Sequence, residues 1–204
     1  MLVAVALLLS VLEVPCWAQP EQSEEPKFVI NGTAFQLLFQ RKHNSFRSKV
    51  AMGTATVDGV KYGPAKNMYR LVTGAYMVEA AEYELTLLYR SLAGTALAQI
   101  DVEQLVENAL NSWKKDASSR SNLLLAKATE LGCAFKFGDV IDSDDKKAID
   151  VQCIYSDRLY SYEGKPYEDG EPCKKTSDCT TYPKRSVCRP KQGLCAIKHR
   201  KSSP

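Results

Sequence analysis

Apolar residues recur at helical spacing from Ala34 to Met52, where Phe35, Leu38, Phe39, Phe46 and Val50 share a face and Arg41, Lys42 and Lys49 lie off it. The spacing predicts a first helix there. Glycines at 53, 59 and 63 and Pro64 then predict a loop. A second helix is expected over Ala75 to Leu92, with Met77, Ala80, Ala81, Leu85 and Leu88 inward. The third carries the strongest pattern: Val102, Leu105, Val106, Ala109, Leu110 and Trp113 form one stripe, with Asp101 placed to cap it and Gln104 three residues on. A shorter helix around Asn122 to Glu130 is expected to end at Gly132 in the left-handed conformation. The period then changes. Cys133 to Phe137 and Ala148 to Tyr155 read as strands joined by the acidic segment Asp139 to Asp145. A hairpin centred near Ser143 sets Cys133 opposite Cys153, close enough for a disulfide, and that pairing is predicted.

The N-terminus changes the cysteine arithmetic. Leu2 to Val14 is an apolar run broken only by Ser10 and Glu13, and Cys16-Trp17-Ala18 places small residues before a cut. Residues 1–18 are therefore expected to be a signal peptide cleaved before Gln19, and no stretch reaches the length of a membrane span. Cleavage turns seven cysteines into six, an even number that in an exported chain implies three disulfides. Asn31-Gly32-Thr33 then becomes a glycosylation sequon, with Asn31 the acceptor.

Of the 204 residues, 45% are hydrophobic and 25% charged, a globular mixture. The formal charge of +3 hides a division. Residues 19–172 carry 18 Lys and Arg against 22 Asp and Glu, whereas 173–204 carry nine against the single Asp178. That C-terminal piece holds Cys173, Cys179, Cys188 and Cys195 and is too short for a core of its own, so two disulfides are expected to hold it, in any of three pairings. Without C-x2-C pairs or a histidine among them, zinc is the weaker reading. The expected organisation is a leader at 1–18, an N-terminal lead at 19–33, a main domain at 34–160, and a hinge with a cysteine-rich basic tail at 161–204.

Five motifs in order resemble the CAP superfamily, also called SCP/TAPS or venom-allergen-like proteins. His43-Asn44-Ser45-Phe46-Arg47 matches its HNxxR motif, Gly63 to Leu71 its linker, and Ala128 to Cys133 its Gly-Cys strand start. Val151 to Tyr155 matches a later strand motif, and Tyr167 to Cys173 with Gly193-Leu194-Cys195 is similar to the extension of the nematode activation-associated secreted proteins. The resemblance implies an α+β class chain, an α-β-α sandwich with a small disulfide-rich C-terminal extension. His43, Asn44, Arg47 and Tyr155 are then family motif residues with a structural role.

Many members of the family hold a divalent metal on two histidines and two acids. Here the second histidine position falls near Ser119, the tryptophan of that segment is Leu125, and the GEN-like segment reads Gly94-Thr95-Ala96. Asp116 is the residual cleft acid. One carboxylate cannot make a metal site, so no cofactor is expected. Family cysteines missing elsewhere also leave Cys133 and Cys153 to each other.

The chemistry that remains is sparse. There are two histidines; His43 lies within an apolar helix without a nucleophile beside it, and His199 lies in the tail. A hydrolase is therefore the weakest expectation. Asp139, Asp142, Asp144 and Asp145 fail the EF-hand spacing and read as a solvated hairpin loop. Lys174, Lys175, Lys184, Arg185, Arg189 and Lys191 make the tail a basic surface suited to sulfated glycans or acidic proteins, with nucleic acid excluded by export. The leading expectation is a secreted, non-enzymatic effector that binds a host extracellular or cell-surface protein, immunomodulatory or anti-haemostatic in a parasite. A lipid or sterol carrier and a channel-modulating cystine module are the alternatives.

Overall fold

The computed structural model describes residues 32–83, 89–93, 101–140, 143–157 and 165–198. The leader, the Asn31 acceptor, Gly94 to Ala96 and His199 lie outside the described residues.

Helix α1 (Gly32–Ala51) follows the first predicted periodicity and buries Phe35, Phe39, Phe46 and Val50. Where a loop was expected, β1 (Ala55–Val57) and β2 (Val60–Tyr62) form a small hairpin around Asp58 and Gly59, both at positive φ. The chain continues through β3 (Ala65–Lys66) and β4 (Val72–Thr73) into α2 (Ala75–Tyr83).

The second helix is shorter than its pattern predicts, because Tyr89–Ala93 is strand β5, paired antiparallel with β7. Sheet pairing overrides a helical period there. Helix α3 (Val102–Lys115) starts at Asp101, whose carboxylate accepts from the Glu103 and Gln104 amides. The box is half made: the Gln104 side chain donates to Asn108 instead of turning back.

The expected helix over 122–130 lies earlier, as α4 (Ala117–Leu123) capped by Asp116. Glu130 already opens β6 (Glu130–Val140), and β7 (Ser143–Tyr155) returns beside it. Cys133 faces Cys153 in this register, and the two form a disulfide. The acidic segment is mostly strand, since Asp139, Asp144 and Asp145 fall within β6 and β7.

One sheet runs in the order β4-β6-β7-β5, with β4 parallel to β6 and the other pairs antiparallel. Its two faces follow from alternation along β6. Leu131 and Cys133 join the core with Phe35, Phe39 and Trp113, and Phe35 meets Phe135 edge to face, so α1 and α3 cover that side. Gly132 points to the other side, where α2 crosses. A Cβ on Gly132 would stand 2.1 Å from the Met77 carbonyl carbon and the Val78 nitrogen. Gly132 is thus a contact glycine within a strand and not a helix terminator. The result is α1 and α3, then the sheet, then α2.

The C-terminal piece adds β8 (Glu168–Asp169) against β3, and a hairpin of β9 (Ser186–Arg189) and β10 (Leu194–Ile197). Its sulfurs pair Cys173 with Cys188 and Cys179 with Cys195. These cysteines cluster with Tyr69 from the main domain, while Leu194 belongs to the main core. The described part of the tail is therefore seated on the body. Cys195 donates to the Met68 carbonyl, and Arg70 donates to that of Cys195.

Candidate functional site

The polar residues of α1 take up the free backbone groups of the chain packed beside it. Gln36, Gln40, Asn44 and Arg47 are spaced four, four and three apart, which keeps them on one helical ridge. The Gln36 amide bonds both the N–H and the carbonyl of Cys133, and Gln40 accepts from the Thr73 N–H at 3.0 Å and its hydroxyl at 2.9 Å. Asn44 bonds both groups of Leu71 at 2.8 Å. A short strand such as β4 leaves unpaired backbone on its flanks, and buried backbone without partners is costly. Sequence reasoning singled out Asn44 and Arg47 but missed Gln36 and Gln40; their shared helical spacing was the available signal.

Arg47 is fully buried and faces carbonyls only. Its Nε donates to Tyr69 at 2.8 Å, one terminal nitrogen to Leu123 at 2.9 Å, and the other to Leu125 and Ala126 at 2.8 and 3.2 Å. Leu123 ends α4, where partial negative charge collects, and Leu125 and Ala126 follow in the segment just beyond its cap. Burial draws the guanidinium down to about 10, which leaves it charged at neutral pH.

His43 is equally enclosed. Its Nδ1 lies 2.8 Å from the Phe39 carbonyl, which can only accept, so Nδ1 carries the proton. Burial pulls the imidazole down to about 4, with the Arg47 charge adding to it, so the ring is neutral. Its Nε2 therefore accepts from the Tyr155 hydroxyl at 2.9 Å, and burial raises that phenol in turn. Both ring nitrogens are engaged inside the core, and neither is free for a metal or a substrate.

Asp116 is exposed and linked to the Ser119 backbone N–H at 2.7 Å, the bond that holds its carboxyl below the usual range. It ends α3 and begins α4. Ser119, Asn122, Trp113, Cys153 and Tyr155 surround a recess of about 20 Å³, room for a single water. An alcohol and an amide replace the imidazole and carboxylate that a divalent ion of this kind requires, so the residues present do not fit a cleft metal. Among the described residues, the grouped metal-type side chains are Cys173, Cys179 and Cys195, whose sulfurs are in disulfides.

In the tail, Lys174, Lys175, Lys184, Arg185, Arg189 and Lys191 are exposed. Lys174 has Glu171 at 3.6 Å, and the Asp178 carboxylate accepts from the Lys174 and Lys175 N–H groups and feels both charges. The scaffold beneath them is stiff. The Tyr69 hydroxyl bonds Ser186 at 2.7 Å and accepts from the Tyr182 N–H, and Asn67 exchanges two bonds with Thr180.

No protein-family profile matches the chain. Over 181 residues it is 28% identical to the Ancylostoma secreted protein of Ancylostoma caninum, an alignment that covers 75% of this chain and 40% of that protein. The chain thus spans well under half the length of that curated relative. Among solved structures it superposes on Na-ASP-1 with a TM-score of 0.63 at 23% identity, over 87% of this chain and 49% of that one. Manganese-bound Ac-ASP-7 gives 0.61 at 25% identity, over 86% and 93%. Among the described residues, no helix is long and apolar enough to cross a membrane. In sequence the chain is thus similar to the Ancylostoma secreted protein and in fold to the ASP structures, in keeping with the resemblance that its motifs carry.

Proposed function

We propose that this chain is a secreted, non-enzymatic effector of a parasitic nematode, acting by binding a host extracellular or cell-surface protein through its basic C-terminal module. The observation that carries this reading is a contrast within the molecule. The motif residues His43, Asn44 and Arg47 have their polar atoms engaged in holding α1 to the chain beside it, whereas Lys184, Arg185, Arg189 and Lys191 stand exposed and without ion pairs among the described residues. A rigid, unneutralised basic face recognises an acidic one and speeds encounter. Three disulfides and the expected leader favour an oxidising, extracellular setting. A carrier of lipid or sterol has less support. Two recesses hold about 60 and 20 Å³, far below the roughly 300 Å³ at which small-molecule pockets begin, and the groove of about 290 Å³ between α1 and α3 is open and bordered by charged and polar side chains, with only Phe46 and Leu110 apolar.

One of the similar solved structures is manganese-bound, whereas the recess beside α4 in this chain offers an alcohol and an amide, with Asp116 taken up as a helix cap. The test of the binding reading is an isotherm of the full chain on host leukocytes and platelets stripped of sulfated glycans by lyase treatment. Replacing Lys184, Arg185, Arg189 and Lys191 together by Gln is expected to weaken binding at least about tenfold, through loss of charge complementarity. Equal binding by the variant would overturn the proposal.

A further inference from the structure

A second basic feature lies away from the tail's own hairpin, between α1 and α3. Lys42, Ser45 and Lys49 of α1 and Asn111 and Lys114 of α3 border a groove of about 290 Å³, floored by Phe46 and Leu110. Its charge is uneven. At one end Lys42 bonds Glu107 and meets Glu103 at 2.9 Å, so that cation is neutralised. At the other, Lys114 is half-buried over the Phe46 ring, 5.1 Å from its centre, and its ammonium donates to the Asn111 amide oxygen at 3.1 Å. Among the described residues no carboxylate lies within ion-pair distance of Lys114 or Lys49. Burial and the nearby Lys49 charge both lower the Lys114 ammonium below its ordinary value, against the pull of Glu107. An anion seated there would relieve that repulsion.

This end of the groove also meets the tail. The Ser48 hydroxyl donates to the Gln192 carbonyl at 2.7 Å, which fixes the turn bearing Lys191 against α1 beside Lys49. Lys49 and Lys114 stand one on each helix, on the two walls of this open groove. The groove runs along α1 from Lys42 to Lys49, seven residues or about 10 Å of helix axis, with the unpaired cations Lys49 and Lys114 at one end. A single small ion would occupy one point of such a track. A linear chain bearing repeated oxyanion groups would occupy its length.

We infer that the groove between α1 and α3 is a binding site for the sulfate esters of an extracellular polysaccharide, seated on Lys49 and Lys114 with Ser45 and Asn111 as neutral partners. The inference rests on the extracellular placement proposed above, but it concerns a different surface and a different class of ligand.

The experiment is calorimetric titration of the full-length chain with a size-fractionated heparin oligosaccharide at physiological ionic strength. Lys49→Gln combined with Lys114→Gln is expected to weaken binding at least about tenfold, while Lys136→Gln combined with Lys165→Gln, of the same charge change, leaves it as in the unaltered chain. Three arms identify the source of the anion: the chemically desulfated chain, inorganic phosphate as competitor, and phosphatidylserine vesicles. The sulfated chain is expected to bind more tightly than all three. Equal binding by the groove variant, no binding of heparin by the unaltered chain, or equal binding of desulfated chain, phosphate or vesicles would each overturn the inference.

A second measurement needs no variant. Heparin is expected to protect the Lys114 amine of the unaltered chain from acylation, and an unprotected Lys114 would also overturn the inference. Because the binding test on host cells uses lyase-treated surfaces, loss of the groove site and loss of the protein-binding reading give separate results.

Discussion

His43 and Arg47 answer different demands with the same burial. An imidazole held near 4 in the folded chain, against an ordinary 6.5, stays neutral where the unfolded chain takes up a proton. The unfolded state binds the additional proton between those values, so folding stability rises with pH across that window. His43 thus contributes in full above about pH 6.5, and the contribution is lost on acidification to about pH 4, by roughly 3 kcal/mol. Urea unfolding at intervals of pH measures it, and the slope is expected to shrink in His43→Gln. A slope unchanged by the substitution would place its origin elsewhere. Arg47 is charged throughout, and its carbonyl partners offset the desolvation. Arg47→Met leaves those carbonyls without donors and is expected to cost about 3 to 5 kcal/mol in urea unfolding, as breaking a buried charged network does. Arg47→Lys is expected to recover little, since an ammonium cannot span Tyr69, Leu123 and Leu125 at once.

Between elements, two contacts control assembly. Gly132 lets α2 lie directly on β6, and Gly132→Ala is expected to push them apart at about 3 kcal/mol, within the range known for overpacking. Tyr69 joins body to tail: Tyr69→Phe removes one hydroxyl from Ser186 and the Tyr182 N–H. Loss of about 1 to 2 kcal/mol is expected, with faster amide exchange at Tyr182, and unchanged exchange there would refute the role given to Tyr69. These contacts also show where sequence is informative. Long periodic stretches such as 34–52 and 102–113 mark helices because burial repeats with the helical turn. The Cys133 and Cys153 register follows from symmetry about a hairpin. Tyr89–Ala93 is strand because β7 offers it an edge, a non-local fact absent from local period. Gly132 has one identity and two uses, helix end or close contact, and only the neighbouring Met77 backbone decides between them.

At the scale of the whole molecule, the resemblance in sequence lies in residues that hold the fold, while the exposed charge lies in the tail and along the α1–α3 groove. His43 is legible as a structural residue from its apolar helix; its bond to Tyr155 is not, because 112 residues separate them. Ser119 and Asp116 carry the same lesson: the motif resemblance points to a metal cleft at their positions, whereas their geometry is that of a helix cap. On the proposed function the chain acts through its surfaces, and Asp116 with Ser119 serves to join α3 to α4. The most direct test is the melting temperature of the full chain with and without saturating manganese or zinc. The account predicts no change. A saturable rise of several degrees, as a metal bound to the folded state would produce, abolished by Asp116→Asn, would contradict it.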